Sequence, residues 1–374
     1  AERLGLSVTV LTDHPDEHDG LGVRVVPCDV QDFRAVLSAI AALPEPDAVF
    51  SNSDHLQVQA ALTAEYLGLP GKPWPAALRA QDKAELRRHL AAAGVDLVRS
   101  VTLHPTDDPT TLGSIDLPFP CVLKPREGVA SEDVVLVTGS DELVRRATEV
   151  RARRPGAALV VEEYLDGDLR TLETLGDGDR RHVLGGFRTE LSAPPYFVET
   201  RMEFVPEPPE KEVEQVLAQL DALGVGFGIC HTEYVVDASG QARLIEVNDR
   251  AIGDHCDLLL AELTGLPLFE LVLRLHLGEP LPVDLPVRRD GAARVEYPCA
   301  TTPGTLVSAP EATTDLFDGI HLSYRPSRAI GETHPVHHTN RDYLGTLMTW
   351  GHDQESVDRV AADYLADNRW EIVP

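Results

Sequence analysis

The tightest constraint on how this chain folds lies between Gly228 and Asp249. Two apolar runs, GICHTEYVV and QARLIEVND, are separated there by the turn-forming residues DASG. Such runs on either side of Asp, Ser and Gly read as an antiparallel hairpin. If Asp237 to Gly240 form the turn, Val236 opposes Gln241, His231 faces Glu246 and Glu233 faces Leu244. Side chains alternate across a strand. Glu233, Glu246 and Asn248 therefore share one face, with the two acids as diagonal neighbours roughly 7 Å apart at Cβ. Tyr234, Val236, Ile245 and Val247 take the other face, where they can meet a core. Two adjacent carboxylates repel unless a cation sits between them. Mg²⁺ wants oxygen ligands at about 2.0–2.1 Å and commonly shares protein carboxylates with substrate phosphates. Two carboxylates and an amide oxygen meet that demand. A solvated face neutralised by Arg243 or Arg250 fits the same residues, so the hairpin alone leaves both readings open.

The rest of the chain is organised around this hairpin. At the front, a strand over Leu6–Leu11, the run VRVVPCDV, the helical QDFRAVLSAIAAL, the strand DAVFSNSD and the helical HLQVQAALTAEYL alternate. That pattern means βαβ units and a parallel sheet. A doubly wound domain normally starts with a strand before its first helix, so a first strand is expected to be missing here. No GxGxxG follows a strand, which removes support for a dinucleotide site. Asp82 is placed to cap a helix ending at Ala93, with Gly94 as its stop. PFPCVLKPREGVASEDVVLV reads as two strands around a small-residue loop. The next helix, SDELVRRATEVRARRPG, carries Ser140 as cap, acids in its first turn and arginines in its last. A further helix starts near Pro209 and stops at Gly224. LGEPLPVDLP, residues 277–286, reads as a linker to a smaller final unit.

Length and charge narrow the function. The 374 residues suffice for two or three domains, and the 43% hydrophobic, 25% charged composition is that of a soluble globular chain. No apolar run reaches the length of a membrane span and no secretory signal opens the sequence. A formal charge of −28 excludes nucleic acid as an expected partner. Five scattered cysteines form no zinc or redox spacing and suit a reducing cytoplasm. Almost every basic residue is arginine. Lysine occurs only at positions 72, 83, 124 and 211, and a compact, flexible point charge is the property arginine cannot supply.

Taken in order, these motifs resemble the ATP-grasp superfamily of carboxylate–amine ligases, in its amino-acid-ligase and siderophore-type amide-ligase branch. The resemblance covers most of the chain: the Rossmann-like front, QDKAEL, the strand VLKPREG with its loop, the hinge VVEEYLDGD and the hairpin ending in EVNDR. The implied fold class is α/β plus α+β. It comprises a Rossmann-like domain over 1–80, an ATP-grasp domain over 81–280 with a lid subdomain at about 115–165, and a small C-terminal α+β domain over 281–374. The fold grips ATP between two subdomains. Carried over residue by residue, the resemblance gives Lys83 and Lys124 to the nucleotide phosphates. It makes Gly128 to Ser131 the closing loop, stiffened by Ala130 where relatives have glycine. Glu162, Glu163 and Leu165 become the hinge that reads adenine and ribose, with Glu173 as a second acid nearby. Glu233, Glu246 and Asn248 match metal ligands for Mg²⁺ or Mn²⁺, and Arg250 matches the arginine that meets the reacting carboxylate.

The implied chemistry is activation of a carboxylate as an acyl phosphate by ATP, followed by attack of an amine, in specialised metabolism by analogy. A carboxylase, a kinase-like phosphoryl transferase and a non-catalytic nucleotide-binding protein are the alternatives. Asp254 is expected either to meet the ammonium, to act as base, or simply to cap the following helix. His255 is expected to be structural, and Arg341 to pair with an acid. The expected partners are a small carboxylate and an amine, with a homodimer as the assembly, and neither nucleic acid nor membrane. The expected location is the cytoplasm.

Overall fold

The computed structural model describes residues 1–374 apart from Asp19, Leu21 and Val129. Two short parallel strands, Thr9–Thr12 and Arg24–Pro27, open the front unit. Helices Phe33–Ala41 and Gln57–Leu67 follow, and Asp32 caps the first by accepting from the Arg34 N–H. The strand expected over DAVFSNSD does not form, for residues 48–53 lie outside the ladders. Pro44 and Pro46, which lack an N–H, stand at its start. Phe50 packs instead on His276, with ring centroids 4.8 Å apart.

Trp74–Gln81 and Lys83–Ala93 are consecutive helices hinged at Asp82. The Asp82 carboxylate accepts from the N–H groups of Ala84 and Glu85, as its position before the helix demands, and Gly94 ends the helix at φ +69°. Such a cap stabilises a helix by about 1 kcal/mol. The helix Ser140–Arg153 starts differently from the reading above. Gly139 is its cap residue and no Ser140 hydrogen bond closes the end. Glu142 does that work by accepting from the Thr138 backbone and hydroxyl.

Four antiparallel strands form a small sheet in the order Ser100–Leu103, Leu159–Glu163, Cys121–Pro125, Val135–Val137. This lid sheet therefore begins at Ser100, upstream of the expected boundary. Period-two alternation sends Cys121, Leu123, Leu159 and Val161 into a core with Leu143 and Ala147. Each fully buried leucine there stabilises the lid by about 1.5–3 kcal/mol. The same alternation turns Val122, Lys124 and Glu162 to the opposite face.

A nine-stranded antiparallel sheet forms the second wall. Its order is Ala242–Asn248, Phe227–Val236, Asp168–Asp177, Arg181–Leu191, Glu199–Val205, Ala292–Glu296, Gly345–Gly351, Ile320–Pro326, Thr313–Phe317. The large sheet thus runs on into the expected C-terminal unit, which also has a small sheet of its own. Its strand Ala292–Glu296 pairs with Glu199–Val205, Arg294 facing Glu203, and Tyr343 and Met348 share a core with Leu175, Phe187 and Leu260. A three-stranded sheet of Gly304–Ser308, Thr333–His334 and Glu371–Val373 completes this end. Among the described residues no helix is long and apolar enough to cross a membrane.

Candidate active site

The hairpin reaches the expected outcome by an unexpected route. Val236 pairs with Ala242, not Gln241, so the turn is one residue longer than its sequence suggests. Carried along a regular ladder, that shift would send Glu246 to the face opposite Glu233. A bulge between Leu244 and Glu246 absorbs the extra residue, and Glu233 directly opposes Glu246. Asn248 Nδ2 donates to Glu233 Oε1 at 3.2 Å. The bulge has a second effect. Ile245, expected in the core, lines the cleft beside Glu246, while Leu244 is buried in its place with Tyr234 and Val247. The strand lies at the sheet's edge, and its outward backbone groups are met by side chains. Arg87 donates to the Leu244 carbonyl and Gln219 to the Ala242 carbonyl, while Asp96 and Gln215 accept from the Leu244 and Ala242 N–H groups.

Between the two sheets lies a cleft of about 150 Å³. Lys83, Lys124, Gly128, Ser131, Glu162, Glu163, Leu165, Glu233 and Glu246 all line it. Val122, Val235 and Ile245 give it an apolar wall. Lys83 Nζ lies 3.1 Å from the Gly128 carbonyl and 3.3 Å from Glu246 Oε1. Lys124 Nζ lies 2.7 Å from Glu162 Oε2. Glu162 also takes a two-pronged bond from Arg87, at 2.9 Å on each oxygen. Burial would raise the Glu162 carboxyl, but the Arg87 and Lys124 cations outweigh it and bring it down to about 2. Burial pulls Lys124 below the ordinary lysine range in spite of Glu162. Glu162 is therefore an internal hub rather than a free acceptor. Glu163 accepts from the Arg99 N–H at 2.9 Å at the cleft rim. Gly167, at φ +156°, lets the hinge pass against Val236, whose carbonyl a Cβ would strike.

Val129 lies outside the described residues of the closing loop. Around it, Ala130, Ser131 and Asp133 hold left-handed φ of +57°, +55° and +57°, which costs roughly 1–2 kcal/mol per residue without a glycine. Contacts from three directions hold them there. Ser131 Oγ donates to the Phe197 carbonyl at 2.9 Å, Asn340 N–H donates to the Ala130 carbonyl at 3.2 Å, and Glu132 is paired by Arg154 and Arg341. Arg341 thus pairs with an acid of the loop.

Glu173 is fully buried and absent from the cleft wall. It accepts from His231 Nδ1 at 2.7 Å, and His231 Nε2 lies 3.5 Å from Glu233 Oε1. Burial would lower the imidazole, yet Glu173 and Glu233 hold it up to about 10, so it stays cationic. Its contact keeps the Glu233 carboxyl below the ordinary range against the cost of burial. Burial, with Glu233 opposite, raises Glu246. Among the described residues no three His, Cys, Asp or Glu side chains are arranged to hold a metal ion by themselves. Glu233 and Glu246 line the cleft, whereas Asn248 lies beside Glu246 at a neighbouring opening; two carboxylates and an amide oxygen are donor types that suit Mg²⁺ completed by phosphate and water.

Arg250 lies at a different opening from the lysines. Its Nε and Nη2 each donate to Asp54 at 2.7 Å, and Nη1 donates to the Ala251 carbonyl at 2.7 Å. Asn52 accepts from the Ala251 N–H at 3.1 Å. Asp54 and Asn52, in SNSD, were not expected at the site. Their signal is a run of polar residues directly after an apolar segment of an α/β unit, where ligands collect. Lys72, buried in its turn, pairs with Asp249 at 3.2 Å and with Gln57 at 2.8 Å. Asp254 stands exposed at φ +53° and does not cap the following helix; His255, at φ +64°, occupies the cap position of Cys256–Thr264. Glu199 lines the cleft unannounced by any motif. Burial first, then Glu233, pushes its carboxyl up to about 8. The buried Tyr343 hydroxyl stands beside it and works against that rise.

Residues 117–258 match the family model of the ATP-grasp domain. A D-alanine–D-alanine ligase of Acidiphilium cryptum is 34% identical over 155 residues, 39% of this chain and 48% of that enzyme. The chain thus spans about half the length of that curated relative. Among solved structures, an L-amino acid ligase from Bacillus licheniformis superposes with a TM-score of 0.82 at 23% identity, over 100% of this chain and 94% of the other. The biotin carboxylase domain of the Hydrogenobacter thermophilus 2-oxoglutarate carboxylase, solved with MgADP and bicarbonate, gives 0.71 at 17% identity, over 100% and 87%. The chain carries an ATP-grasp domain, and the ATP-grasp fold extends along its whole length.

Proposed function

We propose that the chain is an ATP-dependent carboxylate–amine ligase that activates an acid as an acyl phosphate and joins it to an amine, releasing ADP and phosphate. What carries this reading is one cleft that gathers the buried lysines 83 and 124 with the directly opposed Glu233 and Glu246. Glu233, Glu246 and Asn248 would hold Mg²⁺ or Mn²⁺, which when bound neutralises charge on the β- and γ-phosphates during in-line transfer. Lys83 and Lys124 bind the phosphates, Lys124 from a position fixed by Glu162. The hinge at Leu165, beside Val122 and Ile245, offers backbone and apolar surface to adenine, and Glu163 at the rim suits ribose hydroxyls. The loop from Gly128 to Ser131, tied down by its neighbours, keeps water from the acyl phosphate.

Of the five guanidinium N–H groups of Arg250, three are committed to Asp54 and Ala251. The remaining two are offered to the acid's carboxylate and then to the tetrahedral oxyanion. Beyond Glu233, Glu199 and Asp254 form an acidic pole whose charged carboxylates a bound ammonium would favour, and Asp254, open to solvent, carries the amine's proton away. That pole favours an amine over bicarbonate, whose charge it would repel, and so favours a ligase over a carboxylase. We place the reaction in the cytoplasm, in specialised metabolism, with a homodimer as the working assembly. The test is a phosphate-release screen of acids paired with amines in Mg²⁺ and ATP. Release that needs both partners supports the ligase. ADP formed from a hydroxyl compound without free phosphate points to a phosphoryl transferase, phosphate release that needs bicarbonate and no amine points to a carboxylase, and ATP binding without ADP formation to a regulatory protein.

A further inference from the structure

A second cavity, again of about 150 Å³, opens on the far side of Arg250. Its walls are apolar: Ala60, Ala61 and Ala64 from one helix, Leu268 and Val272 from another, and Phe50 and Phe269. The polar groups around it are already satisfied. Lys72 is held by Gln57 and Asp249, and His276 Nδ1 bonds the Val272 carbonyl at 2.9 Å. Burial takes His276 down to about 4, so its ring is neutral. Phe50 and Phe269 are nonetheless 45% and 44% exposed, an unusual condition for two phenyl rings that border one cavity. An apolar cavity of about 150 Å³ accommodates a benzene-sized group.

We infer that this cavity receives the side chain of the acid substrate, and that the acid therefore bears a branched aliphatic or aromatic group rather than a charged or very small one. The inference rests on the ligase reading, because it is Arg250 that links the cavity to the reacting carboxylate. Arg250 lines the cavity, and it follows closely on the strand Ala242–Asn248 that carries Glu246 into the ATP cleft. An acid whose carboxylate meets the two uncommitted N–H groups then has an apolar chamber within reach of its side chain. With Lys72 already paired and Arg250 taken by the reacting carboxylate, a charged side chain would find no free partner there. One missing or extra methylene in an apolar pocket changes selectivity about 10- to 200-fold.

The experiment measures ADP release with Mg²⁺ and ATP for leucine, phenylalanine, alanine and glutamate as acids, each with the same saturating amine. The expected result is a kcat/KM for leucine and phenylalanine at least about tenfold above those for alanine and glutamate. Ala60→Leu, which fills the chamber, is expected to lower the leucine-to-alanine ratio by about tenfold or more. Phe50→Ala, at an exposed position, opens the mouth and is expected to change the phenylalanine-to-leucine ratio. It serves as the readout should the filled variant fail to fold. Equal use of all four acids, preference for glutamate, or ratios unmoved in folded variants overturns the inference while leaving the ligase reading intact. No ADP release with any acid and amine overturns both.

Discussion

The lysine end of the cleft and its acid end are built on opposite principles. At the lysine end, Glu162 answers Arg87 and Lys124 at 2.7–2.9 Å, so charges buried there are matched within the protein. At the acid end, Glu233 is close to both Glu199 and Glu246, with His231 and Lys83 as nearby cations and the Tyr343 hydroxyl beside Glu199. Matched ions hold a shape; unmatched ones wait for something to arrive. The first end is a scaffold that positions a lysine, and the second is where metal and ammonium charge are expected to enter.

The sharpest way to break this contrast is to remove an acid from the unmatched end. Glu246→Gln, and separately Arg250→Ala, are expected to cut ligase turnover by about 10²–10³-fold or more, with circular dichroism and melting profile unchanged. Turnover like the parent's removes both residues from the mechanism. At the matched end the effect should appear as instability. Glu162→Gln leaves Arg87 and Lys124 buried without their counter-ion and should cost about 3–5 kcal/mol in urea unfolding. The Glu162 carboxyl sits below its unfolded value, so its contribution is full above pH 4.5 and is lost as pH falls toward about 2. His231 works in the other direction. Held up to about 10, it contributes fully below 6.5, and that contribution fades as pH rises through about 10. His231→Gln should flatten the alkaline limb of a stability-against-pH curve, and an unchanged limb would show that no charge is stored there. Smaller still, Tyr343→Phe should raise KM for the amine about tenfold, the value of a hydrogen bond to a charged group. A KM effect on ATP instead would move Tyr343 out of the ammonium site. Least of all, Arg341→Ala should cost only about 0.2–1 kcal/mol, because the arginine is 60% exposed. It sharpens the comparison by loosening the closing loop without touching either pole.

Much of this was legible in the residues. The scarcity of lysine marked four positions, among which the family resemblance chose Lys83 and Lys124, and the hairpin acids share a face as expected, though only because a bulge corrects the register. Local signals fixed the helix ends at Asp82, Gly94 and Gly224, where one side chain or one φ decides the matter. What stayed hidden depends on tertiary contacts. Nothing near Glu199 in sequence announces a site, since its surroundings come from Glu233 on another strand and Asp254 in the turn before the helix Cys256–Thr264. Asp54 gains meaning only when the front unit meets Arg250, 196 residues away. Glu173 was placed near the ribose, but the direction of its side chain is set by His231 on the neighbouring strand. The merging of the C-terminal unit into the large sheet was likewise unreadable, because strand pairing across 91 residues leaves no local trace.

The kink at Ile245 has a consequence for how the molecule keeps its own company. A straight outer strand with unanswered amides and carbonyls is a template on which a second chain can assemble. Here the outermost ribbon is bent out of regular pitch, and Arg87, Asp96, Gln215 and Gln219 already occupy its outward valences. The irregularity that lets both acids look the same way also makes that border of the sheet a poor seed for fibres.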